Sequence, residues 1–196
     1  MKTGKIILAS KSPRRSQLLQ WAEIEFEIVV ADTDESYPHH LSAHGVAIHI
    51  ATNKAMDVKK KLQLSKTNEN VYPILAADTI VVLNNEIIGK PGSREDAITT
   101  LTRLSGQMHK VITGTCILSG EKKIVFAEET QVEFIFLSEA QIAYYVDNYK
   151  PYDKAGAYAI QEWIGVTGIE KINGDYYNVM GLPIGEVIGC LNRDFG

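Results

Sequence analysis

The chain has 196 residues, 45% of them hydrophobic and 22% charged, with a formal net charge of -4. That size suits one large domain or two small lobes sharing a core, and the acidic balance argues against broad nucleic-acid binding, which needs a basic face. Two cysteines, Cys116 and Cys190, stand far apart with no second pair, which speaks against a disulfide framework or a structural zinc site and fits a reducing compartment.

The apolar start Ile6-Ile-Leu-Ala9 reads as a short buried strand. It is too short for a signal-peptide core, and no stretch is long enough to span a bilayer, so a cytoplasmic protein without a membrane partner is expected. Ser12 then stands where an N-cap belongs, with Pro13 at the first helical position. The N–H groups of that helix start, with Lys11, Arg14 and Arg15 around it, form a cradle for a phosphate. A solvated, capped helix start with three surface cations is the other reading. Leu18, Leu19 and Ala22 give the helix its buried side. A strand is expected over residues 26–31, followed by the acidic loop Asp32-Thr-Asp-Glu-Ser36, a solvated turn unless the fold aims Asp34 and Glu35 at a metal.

Residues 42–62 carry a long helical pattern in Val46, Ile50, Ala51, Val58 and Leu62. Lys54 lies in line with that stripe, so it either snorkels to water or points into a cleft that wants a cation. Lys59-Lys-Lys61 reads as a solvated face and residues 63–71 as a surface loop. Ile74-Leu-Ala-Ala-Asp-Thr-Ile-Val-Val-Leu83 is the strongest strand, apolar enough to be covered on both faces. Asp78 and Thr79 interrupt it. A buried carboxylate left uncompensated costs roughly 3–5 kcal/mol, and polar breaks in apolar strands cluster at clefts. Satisfaction by backbone N–H groups or an Arg is the alternative.

Asn84-Asn85 marks a tight hairpin, Ile87 and Ile88 return, and Gly89-Lys90-Pro91 leaves the sheet. Ser93-Arg-Glu-Asp96 reads as a capping box opening a helix that Gly106 closes. Residues 111–118 and 124–136 read as a β-hairpin about Ser119-Gly120. Residues 138–148 form a helix with Ser138 and Gln141 as a second box. Residues 149–185 are rich in Gly and Tyr and weakly periodic, the kind of stretch that wraps a ligand; Gln161 there could read a base edge or be an ordinary surface amide. A closing helix is expected over residues 183–191.

No P-loop, no Gly-x-Gly-x-x-Gly after a strand, and no nucleophile with a partner His is present. What remains is a set of cations (Arg14, Arg15, Lys54, Lys90), a strand carboxylate (Asp78) and an acidic neighbour (Glu35). Phosphoryl chemistry asks for that mixture: cations hold phosphate oxygens, carboxylates hold a divalent metal, and one carboxylate can activate water.

Ala9-Ser-Lys-Ser-Pro-Arg-Arg15, Ala77-Asp-Thr-Ile-Val81, Gly89-Lys-Pro91, Leu104-Ser-Gly106 with His109, Asp153-Lys-Ala-Gly-Ala-Tyr158 with Ile160-Gln161, and the run from Asn178 to Pro183 follow in order along nearly the whole chain. In these motifs the chain resembles the Maf family of nucleoside triphosphate pyrophosphatases. The resemblance implies a single Maf-like domain over residues 1–196 with a mixed α/β fold: a long central mixed, twisted sheet with helices and two lobes flanking a cleft, as in Maf and ITPase-like proteins. It implies hydrolysis of a nucleoside triphosphate to monophosphate and pyrophosphate with a divalent cation, Mg or Mn. By position, Asp78 matches the family's catalytic acid/base, and Ser10, Arg15, Lys54 and Lys90 match its phosphate-facing residues. Arg14, Thr79 and Gln161 match the positions tied to pyrimidine selection in the dTTP/UTP branch; a branch acting on methylated guanine nucleotides carries Trp where this chain has Arg14. Asp78 with Glu35, the nearest match to the family's carboxylate pair, would hold the metal. The partner implied is the triphosphate, with no nucleic acid and no membrane, and a homodimer is left open. Two alternatives stand beside this: a regulatory inhibitor of septum formation acting by partner or nucleotide binding, which needs no Asp78 in a strand, and a house-cleaning pyrophosphatase for modified or purine nucleotides.

Overall fold

The computed structural model describes residues 4–65 and 72–195. In chain order these hold β1 (Ile6–Leu8), α1 (Pro13–Trp21), β2 (Phe26–Ile28), α2 (Ala43–Ser65), β3 (Ile74–Leu83), β4 (Glu86–Ile88), α3 (Arg94–Leu104), β5 (Met108–Ser119), β6 (Lys122–Phe134), α4 (Glu139–Tyr149), a 3₁₀ turn (Ala155–Ala157), α5 (Trp163–Gly168), β7 (Ile169–Asn173), α6 (Tyr176–Met180) and α7 (Ile184–Asp194). The seven strands form one sheet in the order β2-β1-β3-β5-β6-β7, with β4 paired to β3. β1 runs parallel to β2 and β3, whereas the β3–β4 and β6–β7 pairs are antiparallel. The fold is therefore the expected mixed α/β sheet with helices. The chain divides into two compact units: Met1–Asp78, Thr113–Glu128 and Gly181–Gly196 form the first, Thr79–Ile112 and Glu129–Met180 the second.

In the first unit, helix α2 buries Val46, Ala47, Ile50, Ala51, Ala55 and Val58. Its Ala51, Ala55 and Val58 join Ile7, Ala9, Ile74, Ala76, Cys116 and Leu118 in one core cluster. The small residues let the helix approach the sheet at backbone distance. A Cβ on Gly114 of β5 would lie 2.2 Å from the Ala47 carbonyl carbon, so that position admits glycine alone. Lys59 donates to the Gly120 carbonyl at 2.8 Å and Lys61 to the Val30 carbonyl at 2.8 Å. The basic run thus ties the helix to its neighbours where a merely solvated face was expected.

Local signals explain most boundaries. Asn84 and Asn85 take φ of 51° and 66° and close the two-residue turn between β3 and β4. Ser138 and Gln141 form a complete capping box. At α3 only half of the expected box forms: Ser93 Oγ accepts from the Asp96 N–H at 3.1 Å, but Asp96 Oδ2 accepts from Gly92 N–H at 3.2 Å. Asp is one methylene shorter than the Glu or Gln that closes such a box. β2 stops at Ile28 and not at residue 31, because β1 offers only three residues to pair with. Helix α2 runs to Ser65, past the expected end at residue 62, and residues 66–71 of the expected loop lie outside the described residues.

The second unit packs α3 against α4 and buries Leu101, Leu104, Phe134, Ile142, Tyr145, Val146 and Tyr158. Its Gly- and Tyr-rich segment is more regular than its composition implies. It contains α5, β7 and α6, of six, five and five residues, too short for a hydrophobic period to register in sequence.

Candidate functional site

The first unit assembles a site from the ends of three elements. The chain leaves β1 at Leu8 and turns through Ser10, which is 8% exposed. Ser10 Oγ accepts from the Ser12 N–H at 3.2 Å and from Arg15 Nη1 at 3.2 Å. Ser12 occupies the N-cap with Pro13 at N1, but its side chain makes no cap hydrogen bond. Arg15 is buried at 8% exposure, so the reading of three surface cations fails at this residue; Lys11 is exposed and Arg14 half-buried. Arg15 Nε donates to the Gly181 carbonyl at 2.7 Å. Burial pulls the guanidinium down from its ordinary range; Asp78 opposes that shift, Arg14 adds to it, and Glu35 opposes it. Arg15 therefore lies within electrostatic reach of both carboxylates.

The decisive arrangement centres on Lys54. Its Nζ lies 2.7 Å from Asp78 Oδ1 and 2.7 Å from Glu35 Oε1. The Lys54 and Asp78 side chains are 17% and 12% exposed. Lys54 thus neither snorkels to bulk water nor waits alone: helix α2 delivers it onto the strand carboxylate 24 residues ahead. Asp78 is compensated by a lysine, which answers the cost that made it stand out in the sequence. The two acids of the loop also part company. Asp34 accepts from the Ser36 N–H at 2.9 Å and the Ser36 hydroxyl at 2.7 Å, and these bonds hold its carboxyl below the usual range. Asp34 is spent on its own turn, while Glu35 reaches the lysine.

The second unit holds the other three residues of interest. Thr79 is half-buried in β3, and Lys90 is exposed just past β4. Gln161 sits in a turn from Ala159 to Glu162, closed by the Glu162 N–H donating to the Ala159 carbonyl at 3.1 Å. The Gln161 Oε1 atom is buried with no hydrogen-bond partner among the described residues. A buried acceptor left unmade is costly.

Among the described residues no group of three or more His, Cys, Asp or Glu side chains is placed to hold a metal. The pair Glu35 and Asp78 nevertheless converges on one cation, the Lys54 ammonium. Two hard oxygen donors of this kind fit Mg²⁺ or Mn²⁺, which takes one or two carboxylates and completes its shell with water and phosphate oxygens.

The profile of the family described as Maf-like protein matches residues 5–194. The chain belongs to the Maf family. Among its Maf relatives, a dTTP/UTP pyrophosphatase of Cytophaga hutchinsonii is 48% identical over 97% of this chain and 84% of that protein. One of Parabacteroides distasonis is 46% identical over 94% and 93%, and one of Acetivibrio thermocellus 43% identical over 98% and 96%. Of solved structures, the Staphylococcus aureus Ham1 protein is similar over 67% of this chain and 72% of that one, at 14% identity and a TM-score of 0.45.

Sequence reasoning missed some parts of this Maf chain that touch the candidate residues. The Gly181 carbonyl receives Arg15, and the Tyr145 hydroxyl bonds Ala159 and Glu162, the residues at either end of the turn that carries Gln161. Gly181 and Glu162 lie in or beside the quoted motifs, but nothing in their spacing names their partners.

Proposed function

We propose that this chain hydrolyses nucleoside triphosphates, dTTP and UTP in particular, to the nucleoside monophosphate and pyrophosphate. The single observation that carries the reading is Asp78, a nearly buried carboxylate in an apolar strand, set against Lys54 with Glu35 and Arg15 close by. The names of the Cytophaga and Parabacteroides relatives support it.

In this reading Ser10, Arg15, Lys54 and Lys90 bind phosphate oxygens, where fixed cations offset the charge of the transferring group. Asp78 orients a water and takes its proton as the oxygen attacks the α-phosphorus. The bond from that phosphorus to the bridging oxygen breaks, and pyrophosphate leaves. Glu35 and Asp78 would hold Mg²⁺ or Mn²⁺, which when bound supplies positive charge to the phosphate oxygens. Arg14, Thr79 and Gln161 read the base. The unmade acceptor at Gln161 Oε1 suits the N3–H of thymine or uracil, which cytosine lacks. The same reading makes a free nucleotide the partner and the cytoplasm the compartment; among the described residues no helix is long and apolar enough to cross a membrane.

The test is a panel of triphosphates with Mg²⁺ or Mn²⁺ and separate detection of pyrophosphate and orthophosphate. dTTP and UTP should lead the panel and release pyrophosphate with the monophosphate. Release of orthophosphate with a diphosphate would overturn the reading.

A further inference from the structure

The turn that carries Gln161 is held by a hydroxyl remote from it in sequence. Tyr145 lies on α4 and is fully buried, its ring stacked on Tyr149 with centroids 4.9 Å apart. Its hydroxyl accepts from the Ala159 N–H at 3.2 Å and donates to Glu162 Oε2. Ala159 and Glu162 are the first and last residues of the four-residue turn, and Gln161 is its third. A single hydroxyl therefore bridges both ends of the turn, doubling the backbone bond that closes it. The other oxygen of Glu162 faces Lys154 Nζ at 3.6 Å, and that ammonium also pairs with Asp153 Oδ1 at 2.8 Å. Lys154 is 8% exposed, so the Glu162 carboxylate is fixed from two sides by largely buried groups.

A plain core tyrosine needs one partner for its hydroxyl. Two partners at the two ends of one turn do more than satisfy it. They restrict the backbone on either side of a side chain whose amide oxygen is buried and unmade. An acceptor that discriminates by hydrogen bonding must be held within a few tenths of an ångström of its donor.

We propose that Tyr145 is a positioning residue for base selection, acting through the Ala159–Glu162 turn to hold the Gln161 amide. The proposal rests on the reading of Gln161 as the residue that meets the base. Lys154 serves the same end from the other side, its ammonium 3.6 Å from Glu162 Oε1 while Oε2 takes the Tyr145 hydroxyl.

Tyr145→Phe removes the hydroxyl and keeps the ring stack. The measurement is kcat and KM for dTTP and dCTP, whose ring N3 carries no hydrogen, with a thermal melt of each variant in the same buffer and metal. The ratio of kcat/KM for dTTP over dCTP should fall about fivefold, the scale of one lost hydrogen bond, with the loss in KM for dTTP. General loosening of the fold lowers both substrates together and leaves the ratio alone, and that result overturns the proposal. Glu162→Ala cuts the other arm of the bridge and should lower the ratio in the same direction; it decides the matter if Tyr145→Phe does not fold, and an unchanged ratio there overturns the proposal. Glu162→Gln, which keeps an acceptor for the hydroxyl, should retain most of the selectivity. Gln161→Ala run alongside separates the two layers. If it shifts the ratio and the folded Tyr145→Phe does not, the bridge is structural only. If Gln161→Ala shifts nothing, the reading of Gln161 itself falls and this proposal with it.

Discussion

Replacing Asp78 by Asn keeps the shape of the side chain and removes its charge. The cost to stability follows from what surrounds Lys54. Removing one partner of a buried ion pair typically costs about 3–5 kcal/mol, because the other charge is left uncompensated. Here the same ammonium lies 2.7 Å from Glu35 Oε1 and keeps that partner. Neither Lys54 nor Asp78 is completely cut off from water, at 17% and 12% side-chain exposure. The amide oxygen of the substituted side chain can also still accept from Lys54. The loss should therefore be about 1–2 kcal/mol, a fall of roughly 2–8 °C in Tm for a chain of this size. Turnover is a different matter. Loss of a general base lowers the rate by about 10²–10⁴-fold, and by more when a metal ligand goes with it. The assay is pyrophosphate release from dTTP beside a thermal melt in the same metal-containing buffer. A folded Asp78→Asn protein that turns over dTTP near the wild-type rate refutes the catalytic role. Lost turnover together with a collapsed melt would instead assign Asp78 to holding Lys54 in place.

Three further outcomes are expected. Gly114→Ala puts a methyl group 2.2 Å from the Ala47 backbone and should destabilise the protein by about 3 kcal/mol or more, read by denaturant unfolding; a variant within about 0.5 kcal/mol of wild type would contradict the backbone-distance packing of α2 on β5. Burial lowers His109 to about 4, against a smaller opposing pull from the Gln107 backbone. The folded protein binds that proton more weakly than the unfolded chain, so the contribution is whole above about pH 6.5 and is lost by roughly 3 kcal/mol as the pH falls to 4. Melts of wild type and His109→Gln across that window should converge as the pH drops, and parallel curves would refute the assignment. Arg14→Trp should lower the preference for dTTP and UTP over purine triphosphates in a competition assay, and an unchanged ranking would remove Arg14 from base selection.

The sequence by itself determined the elements whose cause is local. The ten-residue apolar run of β3, the Asn84-Asn85 turn, the Ser138/Gln141 box and the amphipathic α2 follow from periodicity, φ preferences and capping chemistry over a few residues. It also singled out Asp78, because a carboxylate in such a run demands a partner wherever the chain goes. Only the tertiary structure decided which partner. Lys54 could have faced water, and its spacing on α2 served either reading until the small residues Ala47, Ala51 and Ala55 and the missing side chain of Gly114 brought that helix down onto the sheet. The sequence left Arg15 either in a phosphate cradle or among three surface cations; it is buried, its Nε–H donated to a carbonyl 166 residues along the chain, that of Gly181. Asp34 and Glu35 are chemically alike and adjacent, and their roles separated only when one found Ser36 and the other Lys54. Tyr145 gave no sign at all, since a hydroxyl on a helix does not announce which turn it will close. Periodicity and capping act over one or two turns of chain, whereas hydrogen bonds and ion pairs between distant segments depend on angles and spacings that exist only once the core has packed.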